Sequence, residues 1–334
     1  RNNMDIRMND RLNFRLDIAA TYSRRAANPY QNSVFGFMNS KDPLMLAQWS
    51  DGSYAPFTGG TVNPLPMIEQ GVGGNNIRQN GVLKASAALE YKPVQWLTLE
   101  VKAAPQLTAV KTHRFVDLVE YHSDPYGTVS KTSNAEYNSL DETVTAAWNG
   151  YYHATAAATR QFGGHSFKLL VGASYEEYDY YSLGAYRQEF AYPDYEVISA
   201  GGDNEFKDNS GSRTQMALGS FFGRINYNFK ERYLFEANLR YDGSSRFVRK
   251  NRWSAFPSFS AAWRVTEEPF MAAARKTLSE FKIRASYGTL GNQNINSYYP
   301  ASQLLTISSI SAANKIYPIV AHNSLACLSS FPKS

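Results

Sequence analysis

Long apolar runs are missing from this 334-residue chain. Without a stretch of about 18 consecutive apolar residues no helix can cross a membrane, but a β-barrel stays open, because its strands need apolar residues only at alternate positions. Cysteine is almost absent. The lone Cys327 excludes an internal disulfide and a Cys-based metal site. Blocks of one charge are missing too: 34 Lys and Arg lie scattered among 29 Asp and Glu, for a net charge of +5. That distribution argues against nucleic acid as a partner. The five histidines (His113, His122, His153, His165, His322) have no metal-ligand spacing, and neither a metal nor another cofactor is expected. The opening residues "RNNMDIRMND" contain no apolar signal region and no initiator Met, so they read as a mature or internal segment.

What the chain does have is aromatic residues, 14% in all with 23 Tyr and 19 Phe, and a period of two. Leu12, Phe14, Leu16 and Ile18 alternate with Asn13, Arg15 and Asp17; Leu97, Leu99 and Val101 alternate with Thr98, Glu100 and Lys102. The same pattern returns in Phe167, Leu169, Val171, Ala173 and Tyr175, in Tyr233, Phe235, Ala237, Leu239 and Tyr241, and in Phe259, Ala261, Trp263 and Val265. A strand puts such residues on one face, whereas a helix would scatter them. The opposite face carries full charges strand after strand, which a packed core seldom accepts, so water is expected there. About ten strands are expected, at 1–8, 12–22, 80–92, 96–109, 142–162, 165–181, 213–229, 233–242, 255–265 and 280–288. Tight joints (Asn9-Asp10, 92–95, Gly163-Gly164, 230–232) alternate with long polar segments (23–79, 111–141, 182–211). Short turns on one rim and long loops on the other describe an antiparallel transmembrane β-barrel of the outer-membrane type, with Tyr22, Tyr91, Tyr227, Phe229, Tyr233 and Tyr241 as interfacial girdles. "TEEPFMAAARKTLS" (266–279) breaks the alternation and suits a short helical turn on the short-turn rim.

Three consecutive blocks, "RYLFEANLRYDGSSRF", "NRWSAFPSFSAAWRVTEEPFM" and "FKIRASYGTLGNQNINSYYP", resemble the signature blocks of the SusC/RagA family of TonB-dependent outer-membrane transporters of Bacteroidetes. "RNNMDIRMNDRLNFRLDIAATYS" and "FGGHSFKLLVGASYEEYDYY" are similar to a mid-barrel hairpin and another turn with its rising strand. The resemblance implies a barrel of about 22 strands closed by a plug domain, embedded in outer-membrane lipid, energised through TonB and covered by a SusD-like surface lipoprotein, for import of an oligosaccharide or peptide substrate. On this reading residues 1–303 form part of the transmembrane barrel domain, the plug is absent, and 304–334 is a divergent or truncated C-terminal tail. About ten strands are roughly half of such a barrel and would leave two unpaired edges in lipid, so the chain alone is not expected to transport.

No enzyme is expected. "DGSSR" (242–246) is not a nucleophile elbow and no helix follows it. "GVGGNN" and "GTLGNQN" are Gly-rich but lack a phosphate-binding Lys. Ligand contact falls instead to the loop aromatics Trp49, Tyr54, Phe57, Tyr121, Tyr126, Tyr186 and Tyr192, with packing of the loops on one another as the competing role. Asp242, Arg246 and Arg252 are expected to tie the outer-rim loop together by ion pairing. Lumenal Arg15, Lys84, Lys102, Arg224, Arg240, Arg264, Lys282 and Arg284 favour acidic or polar solutes, unless Asp17, Glu90, Glu100 and Glu236 neutralise them, which is the favoured reading. Two alternatives stay open: a passive porin-like barrel piece, and a secreted glycan-binding β-sandwich whose apolar faces pack on each other.

Overall fold

The computed structural model describes residues 1–30, 34–39, 44, 46–56, 63–69, 71–132, 136–274, 277–293, 298, 305–312 and 315–322. One sheet dominates. It joins β1 (Asn2–Asn9), β2 (Leu12–Ala27), β3 (Gly74–Val94), β4 (Leu97–Ala103), β5 (Gln106–Val116), β8 (Ser139–Phe162), β9 (His165–Gln188), β10 (Asp208–Phe229), β11 (Tyr233–Ser244), β12 (Trp253–Arg264) and β13 (Lys282–Gly288), 11 strands in an antiparallel meander. Two small hairpins stand apart, β6 (Glu120–His122) with β7 (Val129–Thr132) and β14 (Leu305–Ala312) with β15 (Lys315–His322).

Pairing register keeps the two expected faces in phase from strand to strand. Ile6 pairs with Phe14, Phe14 with Leu89, Leu89 with Val101, Val101 with Ala154, Ala154 with Ala173, Ala173 with Phe221 and Phe221 with Tyr241. All these side chains share one face, called outward below. Its apolar residues are largely uncovered, Val101 and Phe221 each at 59% exposure, and among the described residues no second sheet packs on them. A soluble sandwich would bury them, so the sandwich alternative fails. On β9 the outward set runs His165, Phe167, Leu169, Val171, Ala173, Tyr175 and then Glu177 and Asp179. The stretch without carboxylates is roughly 34 Å along the strand and, at barrel tilt, about 26 Å in height. That matches the apolar band of an outer-membrane barrel.

Both ends of the band are aromatic. At the short turns Phe162 stacks on Phe167 at 5.7 Å, while Phe167 tilts against Tyr227 at 4.8 Å and His165 against Phe229 at 4.6 Å. At the other end Tyr152 stacks on Tyr175 at 6.4 Å and Tyr241 on Trp253 at 5.1 Å. Just above, a polar collar closes the band: Trp148 Nε1 donates to Glu177 at 2.8 Å, and Arg213 and Gln215 both donate to Asp179.

Several boundaries differ from the sequence expectation. The strands bordering the long loops run further: β2 reaches Ala27, β3 begins at Gly74, β8 spans Ser139–Phe162 and β9 His165–Gln188. Backbone pairing continues above the collar, where the apolar pattern that marks lipid no longer applies. The expected strand 96–109 splits at Ala104-Pro105 into β4 and β5. Pro105 has no N–H to give the ladder, although its carbonyl still accepts from Ala85 N–H at 3.0 Å. The rim segment after β12 forms two 3-10 turns, Val265–Glu267 and Pro269–Met271. Gly163 and Gly164 both have positive φ, +55° and +85°, as a two-residue hairpin demands.

Candidate functional site

The inward face is a wall of cross-strand polar contacts. Arg15 of β2 donates to Glu100 of β4 at 2.5 Å and lies 4.0 Å from Glu90 of β3; His153 Nε2 of β8 meets the other Glu100 oxygen at 3.0 Å. Further along, Arg224 donates to Asn238 at 2.7 Å and Asn238 to Glu236 at 2.9 Å. Arg240 donates to Asp242 at 2.7 Å and to Ser220 Oγ at 2.8 Å. Most partners sit on one strand or on adjacent strands, and Arg15–Glu100 spans two, so neighbouring strands are stitched together and the register of the wall is fixed. Alternation had placed these residues on one face, but it does not report which strands adjoin, and so did not single out His153.

Neutralisation of the inward cations is partial. Arg15, Arg240 and Arg264 have carboxylate partners, whereas Lys84, Lys102, Lys282 and Arg284 have none within ion-pair distance among the described residues. Near the short-turn rim Lys168, Lys282 and Arg284 line one cavity of about 400 Å³ with Glu236 as its single carboxylate; Asn226 and Asn228 share it, each with an unpartnered amide oxygen. The surface suits anionic and hydrogen-bonding groups and offers no reactive geometry. No cluster of three metal-ligating side chains occurs among the described residues.

The loop aromatics separate into two groups. Trp49, Tyr54 and Tyr121 converge: Trp49 Nε1 donates to the His122 carbonyl at 2.6 Å, His122 N–H to the Tyr54 carbonyl at 2.9 Å, and the Tyr54 hydroxyl to Glu69. Tyr121 is only 2% exposed. Burial, aided by the neighbouring Tyr30 and Tyr54, pushes its phenol up to about 12; burial and the Glu69 bond push Tyr54 up to about 12 as well. These three hold the loops together. Tyr126 and Tyr192 stand out into solvent, at 92% and 78% exposure. Tyr126 sits on a turn ordered by Asp124, which accepts from Tyr126 N–H at 2.8 Å and is held below the usual carboxylate range by its bonds to Thr128 and Tyr126. Phe57 lies outside the described residues.

The outer-rim loop is tied differently from the ion-paired set Asp242, Arg246 and Arg252. Asp242 pairs with Arg240, its neighbour on the same strand face. Arg246 instead reaches the carbonyl of Gln293 at 2.9 Å and stacks 4.4 Å from the Tyr298 ring, while Arg252 Nε is buried and has no partner among the described residues. Two residues apart on one strand, Arg240 and Asp242 share a face, and this local pair outcompetes one across the loop. Ser244 is fully buried, and Ser245 Oγ accepts from Ala217 N–H at 2.9 Å. Both serines are framework.

A family model described as TonB dependent receptor-like, beta-barrel matches residues 5–321, so the match runs through the β14–β15 hairpin. TonB-dependent receptor P26 of Formosa agariphila is 29% identical over 316 residues, covering 89% of this chain and 29% of that protein. TonB-dependent receptor SusC of Bacteroides thetaiotaomicron is 32% identical over 148 residues, covering 44% of this chain and 14% of its own length. The chain thus spans about 29% of P26. Among solved structures, the RagAB peptide transporter superposes with a TM-score of 0.77 at 19% identity, covering 99% of this chain and 36% of that one, a likeness of fold. With the lipid-facing band, the polar wall and a family match over nearly its whole length, this chain belongs to the TonB dependent receptor-like, beta-barrel family of the outer membrane.

Proposed function

We propose that these strands are wall and loop segments of an energised outer-membrane importer for oligosaccharides or peptides, one that performs no chemistry on its cargo. The observation that carries this reading is the inward face: a hydrogen-bonded wall whose Lys84, Lys102, Lys282 and Arg284 have no carboxylate partner among the described residues, set behind an outward face fit for lipid. Relatives named as TonB-dependent receptors and a structural neighbour titled a peptide transporter support it. In this reading TonB supplies energy through a plug region, and a SusD-like lipoprotein meets the long-loop side. The exposed rings of Tyr126 and Tyr192 contact the incoming substrate or the lipoprotein, Trp49, Tyr54 and Tyr121 keep those loops in place, and Asp242, Arg246 and Arg252 belong to the rim that supports them.

Uptake of labelled oligosaccharides and peptides by cells carrying the full-length receptor tests this. Uptake of one class that collapses with a protonophore, and falls about ten-fold in the Tyr126→Ala/Tyr192→Ala double variant, is the expected result. Uptake that survives the protonophore would identify a passive pore instead.

A further inference from the structure

Arg160 stands alone on the outward face. Between the short turns and the polar collar, the outward positions of β1–β5 and β8–β13 carry no other Asp, Glu, Lys or Arg among the described residues. Arg160 lies two residues from the hairpin end of β8, paired in register with Phe167, and its guanidinium carbon sits 4.5 Å from the centre of the Trp96 ring. Thr159 N–H donates to the Trp96 carbonyl at 2.9 Å, which fixes that turn against β8. Phe162 and Phe167, themselves stacked at 5.7 Å, flank the other side. No carboxylate and no hydrogen-bond acceptor engages the guanidinium among the described residues.

A full charge in this band costs free energy unless it reaches the interface and finds a partner. Stacking on Trp96 gives one favourable contact but leaves the five N–H donors of the guanidinium unused. Their fork matches two oxygens of a phosphodiester, and the height, about 5 Å inside the rim at barrel tilt, is where lipid phosphates meet acyl chains. We propose that Arg160, Trp96 and the Phe162–Phe167 pair form a phospholipid site, in which Arg160 grips the headgroup phosphodiester and the aromatic rings hold the upper acyl chains. The commitment is to a membrane lipid and not to a free anion, because the flanking rings have nothing to offer inorganic phosphate.

Native mass spectrometry of the full-length receptor, titrated in mild detergent with phosphatidylglycerol, tests the site. Relative to wild type, Arg160→Gln is expected to weaken retention of one tightly held lipid about ten-fold. Trp96→Phe, which keeps a ring but a poorer one for a cation, is expected to weaken it about three-fold. Arg160→Lys keeps the charge without the fork and should fall between wild type and Arg160→Gln. Heat-modifiable migration on gels verifies that each variant is folded. Equal retention by wild type and Arg160→Gln would overturn the proposal, as would displacement of the lipid by millimolar inorganic phosphate.

Discussion

The outward face of β8 and β9 is built twice from similar residues and ends in two different environments. Below the collar, Leu169, Val171 and Tyr175 are left uncovered, Val171 at 48% exposure. Above it, Leu140 of β8 and Phe115 of the adjoining β5, paired in register on the same face, are fully buried because the β9–β10 loop folds over them. Phe190 packs edge-on against Phe115 at 5.5 Å, with Ile198 and Ala200 behind it. Asn138 pins Phe190 through both backbone groups, and Glu196 reaches His113 and Asn75. Apolar surface must leave water in either half. In one half lipid removes it; in the other the chain must supply its own cover, at the entropic cost of ordering a loop.

That contrast can be broken from either side. The largest effect is expected from Phe115→Ala, which empties the self-covered half: about 3–5 kcal/mol of loop attachment should be lost, read as faster hydrogen exchange across 189–202 with the strands below the collar unchanged. Next, Val171→Arg places a charge in mid-band and should cost about 2–4 kcal/mol of stability in lipid, whereas Thr155→Arg, on the inward face of the neighbouring strand and beside Glu100, should cost less than about 1 kcal/mol. Equal costs would mean that lipid does not cover this face. Glu100→Gln, which leaves Arg15 only its longer approach to Glu90, should cost about 1 kcal/mol in the same unfolding assay.

A pH titration sharpens the self-covered side further. The Tyr121 phenol, ordinarily near 10 and held up to about 12, keeps its proton longer in the folded loop than in an unfolded chain. Its contribution is therefore intact below pH 10 and is lost as pH climbs through about 12. Ultraviolet absorbance of phenolate should show a late-titrating fraction that shrinks in Tyr121→Phe. The smallest change is expected of Asp242→Ala, under about 1 kcal/mol, because Arg240 keeps its bond to Ser220; loss of rim-loop order would show that this pair does more.

Much of the architecture was legible because lipid imposes a strict period on strands. Phe167 to Tyr175 and Tyr233 to Tyr241 could be assigned a face from alternation alone, and Gly163-Gly164 a hairpin from its positive-φ residues. Above the collar the signal fades, so the strand extensions 74–79, 182–188 and 208–212 read as loop. The loop aromatics looked equivalent in sequence, yet Tyr121 is enclosed and Tyr126 is not, a difference set by which loop lies across which. Sequence distance says little about which charge is nearest on a strand face, so alternation alone does not join Asp242 to Arg240.

The sequence by itself determined the strand period, the two faces, the sites of the short turns and the family, since each depends on neighbours two residues apart or on a contiguous motif. Only the tertiary structure decided which charges meet across strands, which apolar residues the loop covers, and that Arg160 lies over the Trp96 ring on the outward face. Those outcomes depend on register between segments far apart in the chain, and alternation along one strand carries no information about the strand beside it.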